Sequence, residues 1–184
     1  MALTKKYHKS IITLHWLIAI IVFILIALGL NMVDIERGTS ERAFYYNLHK
    51  SFGLTLLLLM IARIFFRIKF KAPPLPSNVS LFQQTVARAS HFILYLSLVL
   101  MPLSGLIASQ FTKYGVHYFG LFKIPPLFSQ NKFYYDLFQN LHKAFAIVIM
   151  IMVSVHILAA FKHIFVDKDD IFERINLFKG KNKK

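Results

Sequence analysis

Two histidines on one apolar stretch could bind a metal centre or a cofactor through their imidazole rings. His142 and His156 lie fourteen residues apart in the run 141–165, LHKAFAIVIMIMVSVHILAAFKHIF. On an α-helix this spacing separates them by only about 40° around the axis and about 21 Å along it. Both rings therefore project from one face, near opposite edges of a hydrocarbon layer that is about 30 Å thick.

Five of the eight histidines fall inside or at the edges of long apolar runs. They are His15, His49, His91, His142 and His156. Histidine is uncommon at membrane depth, where it marks a pathway, a ligand or a polar contact inside a bundle. A single one is explained by an interhelical hydrogen bond, but five need a further explanation.

The elements that must position these rings are membrane-spanning helices. The 184 residues are 57% hydrophobic, with a mean hydropathy of +0.55, which is more apolar surface than a soluble domain of this length covers. Since lipid offers the backbone no hydrogen-bond partners, the apolar runs must be helices, and four of them predict an all-α integral membrane four-helix bundle. We predict one membrane domain, 1–184. Its predicted parts are spans at about 11–32, 42–68, 81–109 and 133–165, a short interfacial helix at about 169–178, and a basic tail.

Local signals mark the ends of these runs. Prolines after Lys71 end the second span, and Ser80 with Gln83 predicts a capping box that opens the third. Pro102 predicts a kink within that third span. The connection 111–132, rich in Tyr, Phe and Pro, predicts an aromatic cover at the outer interface. The prolines that end the second span are Pro73, Pro74 and Pro76.

The distribution of charge sets the orientation of the chain. Fifteen of the 22 Lys and Arg residues fall on one side of the predicted spans, and the positive-inside rule then puts both termini in the cytoplasm. The net charge of +14 does not indicate nucleic-acid binding, because the basic residues form no separate domain. The absence of cysteine excludes disulfides, iron–sulfur clusters and thiol nucleophiles. The first apolar run is too long for a signal peptide and is expected to remain as an anchor.

With this orientation, four of the histidines form two pairs at two depths. His49 and His142 lie near the outer ends of their helices, and His15 and His156 lie in the cytoplasmic half. Paired axial imidazoles suit a low-spin b-type haem, and the interior of a four-helix bundle can hold one. A zinc or di-iron centre fits less well, since it needs carboxylates or several histidines at one depth. We expect all eight acidic residues to lie in loops or in the tail.

Three glycines and one arginine fall at the depths of these pairs. Each follows a histidine of its own helix by one turn or by fourteen residues. Glycine permits the close backbone approach that a macrocycle needs, and the arginine could pair with a haem propionate. Small-residue helix packing remains open for the glycines, and snorkelling to the interface remains open for the arginine. The residues are Gly29, Gly53, Gly105 and Arg63.

The order of these motifs, over about 9–167, resembles the bacterial cytochrome b561 family. The matching features are the pair His15 and Trp16, the sequence LHKSFG around His49, Arg63 and Arg67 before the proline-rich exit, and the spacing from His142 to His156. The resemblance implies a bundle with two b haems in its interior, in the bacterial inner membrane. It implies that His15, His49, His142 and His156 are the axial ligands, and that His91 is not one.

The resemblance also implies a function. Members that act alone oxidise superoxide at the outer face and reduce ubiquinone in the bilayer. Several cations on the predicted outer side could attract a small anion, although propionate pairing or snorkelling equally explains Lys50 and Lys143. These cations are Arg37, Arg42, Lys50, Lys113 and Lys143.

A possible quinone site lies at the cytoplasmic end. His163 is seven residues beyond His156, and Trp16 directly follows His15. A protonatable ring at this depth could hydrogen-bond a quinone carbonyl and deliver a proton. The alternatives are a terminal-turn histidine stabilised by the helix dipole and a tryptophan placed only by the interface.

Two other functions remain open from the sequence. The chain could be a cytochrome b subunit that relays electrons between quinone and a partner dehydrogenase, hydrogenase or reductase. It could also be a non-redox transporter whose histidines make polar contacts or carry protons.

Overall fold

A computed structural model describes residues 6–74 and 79–177. Four long helices dominate this part of the chain, and each is long and apolar enough to cross a membrane. The predicted four-helix membrane architecture is therefore confirmed. The long helices are α1 (Lys9–Asn31), α2 (Ser40–Lys69), α3 (Leu81–Gln110) and α4 (Lys132–Phe161). The smaller elements are β1 (Val116–Tyr118), β2 (Phe122–Ile124), a π-helical segment (Lys162–Asp167) and a 3₁₀ helix (Phe172–Arg174).

The helices begin at capping side chains close to the predicted starts. Thr39 opens α2 and Asn131 opens α4, each accepting a hydrogen bond from a backbone N–H of the first turn. The predicted capping box at Ser80 is present at the start of α3. Helix α2 ends at Lys69, before the proline-rich exit, of which Pro76 lies outside the described residues.

One expectation about charge was wrong. Glu41 and Asp136 lie inside α2 and α4, not in loops. Glu41 lies in the first turn of α2, where the helix dipole favours an acidic side chain, and Asp136 lies in the second turn of α4. Asp136 also forms an ion pair with exposed Lys132 one turn earlier. Neither carboxylate approaches the depth of the central core.

A central apolar layer holds the helices together. Ile149 of α4 illustrates its depth, because it lies midway along the sequence between His142 and His156. The layer therefore separates two levels of histidines with packed aliphatic side chains. Its buried members are Ile18, Ile21, Val22 and Leu25 of α1, Leu56 and Met60 of α2, Met101 of α3, and Ile149.

The outer surface of the bundle is apolar as well. Phe23, Leu58 and Ile151 are each more than half exposed, at 53%, 56% and 58%. Apolar side chains exposed this widely along the helices are stable when lipid surrounds them. The surface thus agrees with a multi-pass membrane protein.

A β-hairpin that was not predicted lies within the predicted aromatic cover at 111–132. Strands β1 and β2 pair antiparallel, and the fully buried Ser51 of α2 anchors them. The Ser51 hydroxyl lies 3.0 Å from the His117 carbonyl and accepts a 2.8 Å hydrogen bond from the Phe119 N–H. Lys50 donates to the Gly115 carbonyl at 2.9 Å. The period-2 pattern of three-residue strands is too short to detect from sequence.

The predicted short helix at 169–178 was wrong for the described residues. We call residues 169–177 the C-terminal strap, in which only Phe172–Arg174 is helical. The Arg174 carbonyl accepts the Tyr7 N–H at 3.2 Å, and the Ile175 carbonyl accepts the Trp16 indole N–H at 2.9 Å. These tertiary bonds take carbonyls that a continuous helix would bond internally. Residue 178 and the predicted tail lie outside the described residues.

We predict that Ser51→Ala destabilises the protein. The change leaves the His117 carbonyl and the Phe119 N–H without their side-chain partner, which costs about 1–3 kcal/mol. Thermal unfolding in detergent micelles measures this cost. Ser154→Ala is the matched control, because Ser154 is exposed and bonds only within its own helix, to the Met150 carbonyl. Equal melting temperatures of the two variants would contradict the anchoring role of Ser51.

Candidate functional site

Four histidines form two pairs inside the bundle, as the sequence predicted. We name the two levels outer and cytoplasmic after the orientation that the sequence predicts. At the outer level, the ring centres of His49 and His142 are 6.1 Å apart, with 73° between the ring planes. At the cytoplasmic level, the ring centres of His15 and His156 are also 6.1 Å apart, with 67° between the planes. Helices α1, α2 and α4 supply these rings, so each pair bridges two helices.

This spacing is suited to a metal ion between two imidazoles. A metal–nitrogen distance of about 2 Å on each side places the two ring centres roughly 6 Å apart. Direct contact between two rings needs no such constant value. The repeat of 6.1 Å at two levels therefore fits a pair of bis-imidazole sites.

At the outer level, hydrogen bonding leaves nitrogens free to ligate. His142 Nδ1 lies 2.8 Å from the Met101 carbonyl oxygen. Because a carbonyl only accepts, Nδ1 carries the proton and Nε2 keeps its lone pair. His49 Nδ1 is buried without a hydrogen-bond partner in the described structure. Buried polar atoms rarely lack a partner, so this ring is a candidate for contact with a group bound between the helices.

Two of the three predicted glycines lie against these outer rings. A Cβ added at Gly105 would lie 2.8 Å from His142 Nδ1, and one added at Gly29 would lie 3.4 Å from His49 Cε1. A Cβ at Gly53 would meet nothing within 4 Å. The glycines at 29 and 105 thus make room for the imidazoles themselves, which is a more direct role than the predicted approach to a macrocycle.

At the cytoplasmic level, Arg63 sits beside His15 as its depth predicted. It donates to the Tyr95 hydroxyl at 3.0 Å and to the Ile11 carbonyl at 2.9 Å. Its third contact, from Nη2 to His15 Nδ1, is longer, at 3.3 Å. Ligation through Nε2 of His15 would protonate Nδ1 and release this contact, while the two shorter bonds keep the guanidinium in place. The propionate partner of Arg63 stays a prediction.

Comparison with known proteins decides the class of this site. A family profile described as "Prokaryotic cytochrome b561" matches residues 6–176. The chain belongs to the prokaryotic cytochrome b561 family. It is therefore a membrane electron-transfer protein of a family that binds haem b, which excludes the non-redox transporter that the sequence left open.

Individual members of the cytochrome b561 family match over most of their length. "Cytochrome b561 homolog 2" of Escherichia coli (strain K12) is 33% identical, covering 93% of this chain and 91% of the relative. "Cytochrome b561 homolog 1" of the same organism is 23% identical, covering 93% and 97%. "Probable superoxide oxidase CybB" of Yersinia pestis is 27% identical, covering 93% and 96%.

A fifth histidine of this cytochrome contacts the cytoplasmic pair. The ring centre of His91 lies 5.5 Å from that of His156, and His91 Nδ1 lies 2.6 Å from the Ala87 carbonyl. The family resemblance implied no ligand role for His91, and its contact with His156 was not predicted from the sequence. The signal was available, because Gly105 follows His91 by fourteen residues and lies at the outer level against His142. That offset puts His91 at the cytoplasmic level.

The two residues of the predicted quinone site have different surroundings in the structure. Trp16 lines an apolar cavity of about 330 Å³ with Phe172, Asn176 and Leu177, and His163 is not among its lining residues. His163 instead bonds Asp169, with 2.8 Å between Nδ1 and Oδ2. The link between Trp16 and His163 is the C-terminal strap, which contacts both.

The predicted outer cations divide into two groups. Arg42 and Lys50 are engaged within the protein: Arg42 bonds the Ile35 carbonyl, and Lys50 bonds the Gly115 carbonyl of the hairpin. The other three are exposed and retain charge that could attract an anion. They are Arg37, Lys113 and Lys143.

We predict opposite effects for two glycine substitutions. Gly→Ala in a helix interior normally stabilises by about 1 kcal/mol, and Gly29→Ala should approach this because its new Cβ makes ordinary contact. Gly105→Ala should destabilise, because the His142 ring must move and loses its bond to Met101. Thermal unfolding of both variants checks the sign. Gly105→Ala with a melting temperature at or above that of Gly29→Ala would contradict the close packing of His142.

Proposed function

We propose that this cytochrome holds two b haems and passes electrons from superoxide at the outer face to ubiquinone in the bilayer. The observation that carries the proposal is the 6.1 Å spacing of ring centres in both pairs, His49 with His142 and His15 with His156. Family membership supplies the haem b, and two matched imidazole pairs support two copies of it.

The chain's own residues would hold the two groups in different ways. At the outer level, the Met101 carbonyl orients His142 and the glycine at 105 gives its ring space. At the cytoplasmic level, we assign Arg63 to a haem propionate, and the bonds to Tyr95 and Ile11 would keep it there. Gly53, with no protein atom near its Cβ position, is assigned to haem contact at the outer level.

The bound haems would supply one-electron transfer between two depths. Each superoxide gives up one electron and becomes dioxygen, and a ubiquinone takes up two electrons and two protons to become ubiquinol. Two superoxide molecules therefore reduce one ubiquinone. The packed aliphatic layer around Ile149 would keep water from the space between the levels.

Different observations support the two substrates. The relative named "Probable superoxide oxidase CybB" is 27% identical over 93% of this chain, and exposed Arg37, Lys113 and Lys143 would steer a small anion to the outer face. For ubiquinone, we assign His163 and Trp16 to the cytoplasmic end. The excess of Lys and Arg on that side supports cytoplasmic termini in the bacterial inner membrane.

The ligand assignment predicts haem stoichiometry. We expect two haems per wild-type chain, and one in each of His142→Ala and His156→Ala, because loss of one axial imidazole releases one group. His91→Ala should keep two. Haem extracted from purified protein and divided by protein concentration gives the ratio, with gel filtration to verify folding. Two haems retained in His156→Ala, together with loss of one in His91→Ala, would move the ligand role to His91.

The substrate assignment is tested with the purified chain alone. With superoxide generated enzymatically in the presence of ubiquinone, the chain should form ubiquinol at half the molar rate of the superoxide loss that exceeds spontaneous dismutation. His49→Ala, which removes an outer ligand, should abolish this reaction. A chain that binds two haems, yet forms no ubiquinol from superoxide, would instead favour the relay subunit that receives electrons from a partner protein.

A further inference from the structure

We infer that Asp169 is a positioning residue for His163, fixing which ring nitrogen exchanges protons with the quinone. This inference rests on the proposed reduction of ubiquinone and names a further residue for it. Asp169 begins the C-terminal strap, directly after the turn that ends the π-helical segment.

The hydrogen bond between the two side chains selects one tautomer. His163 Nδ1 lies 2.8 Å from Asp169 Oδ2. An ionised carboxylate only accepts hydrogen bonds, so Nδ1 carries the proton. Nε2 is then the nitrogen that takes up a proton or, in the imidazolium, gives one up. The His163 side chain is 22% exposed, so its ring is partly accessible.

The fold builds this pair with more than one contact. Lys168 adopts a left-handed conformation, with φ of 52°, and turns the chain back toward the helix end. The Asp169 N–H donates to the His163 carbonyl at 3.3 Å, and Asp169 Oδ1 accepts the Ile171 N–H at 3.0 Å. The Asp169 carboxylate is only 8% exposed. Both its orientation and its distance from His163 are therefore fixed by the backbone.

The neighbouring carboxylate of Asp167 is shared between Lys162 and His163. Asp167 Oδ2 pairs with Lys162 Nζ at 2.5 Å and lies 3.3 Å from His163 Nδ1. Its side chain is 26% exposed. Lys162 balances the charge of Asp167, and the contact of Asp167 with the His163 ring is longer than that of Asp169. Asp167 therefore orients His163 much less than Asp169 does.

The proton balance follows from the tautomer. Ubiquinone receives two electrons through the bundle. For each electron, the His163 imidazolium gives its Nε2 proton to a quinone oxygen. It becomes a neutral imidazole whose Nδ1–H still donates to Asp169. Cytoplasmic water then returns a proton to Nε2. Two such cycles complete one ubiquinol, and Asp169 keeps its charge throughout.

Asp169→Asn tests this role with little change in size. An amide oxygen can still accept the Ile171 N–H, but the ring loses its anionic partner. General acid–base catalysis contributes about 10²–10⁴-fold, so we expect kcat for ubiquinone reduction to fall at least about tenfold, with KM unchanged. Haem content and the rate of haem reduction by superoxide should stay at the wild-type level. Asp167→Asn is the control and should change kcat by less than about twofold.

The double variant separates positioning from simple structural support. If Asp169 acts through His163, Asp169→Asn should have no further effect on kcat in a His163→Ala background. Multiplied effects of the two changes would overturn the inference, as would equal losses in Asp167→Asn and Asp169→Asn, or full activity of Asp169→Asn. A haem-loaded wild type that cannot reduce ubiquinone would instead overturn the proposed function, and the inference with it.

Discussion

Lipid gives polar groups no partners, and this constraint shapes the interior of the bundle. Each polar side chain at membrane depth must find its partner on another helix or on its own backbone. Arg63 finds three such partners within the protein, and His142 Nδ1 bonds the Met101 carbonyl. His49 Nδ1, by contrast, is buried without a hydrogen-bond partner among the described residues. The same constraint keeps the imidazole rings inside the bundle. There they pack against the backbone of a neighbouring helix at a glycine, which leaves space for the ring.

The bundle and its histidine pairs could be predicted because helical periodicity is regular over long distances. A fourteen-residue offset returns to nearly the same face of a helix. On each helix it therefore relates a residue at one histidine level to a residue at the other level. Arg63 was placed beside the cytoplasmic pair by that offset alone, and the structure brings it to His15. Gly29 and Gly105 were placed at the outer level in the same way, and both meet histidine rings there.

The rest could not be predicted because it depends on tertiary bonds or on a change in helical period. The π-helical segment Lys162–Asp167 widens the turn after α4, so α-helical spacing no longer gives the direction of His163. The C-terminal strap has the apolar spacing of a helix, yet its carbonyls bond Tyr7 and Trp16 of distant sequence. The hairpin likewise depends on Ser51. From the sequence alone, this residue cannot be distinguished from any other small polar residue in a span.

The docking of the hairpin has a consequence for how relatives can differ in length. Strand β1 is tied to α2 through Lys50 and Ser51, the two residues that follow His49. Insertions or deletions within 115–119 would shift the backbone that contacts α2 next to His49. No described hydrogen bond ties the segment beyond β2 to α2: the Leu127 N–H donates instead to Gln110 Oε1 of α3 at 3.1 Å, and Leu127 and Phe128 are exposed. Length variation among relatives is therefore expected to accumulate after 124, leaving the segment 115–119 constant in length.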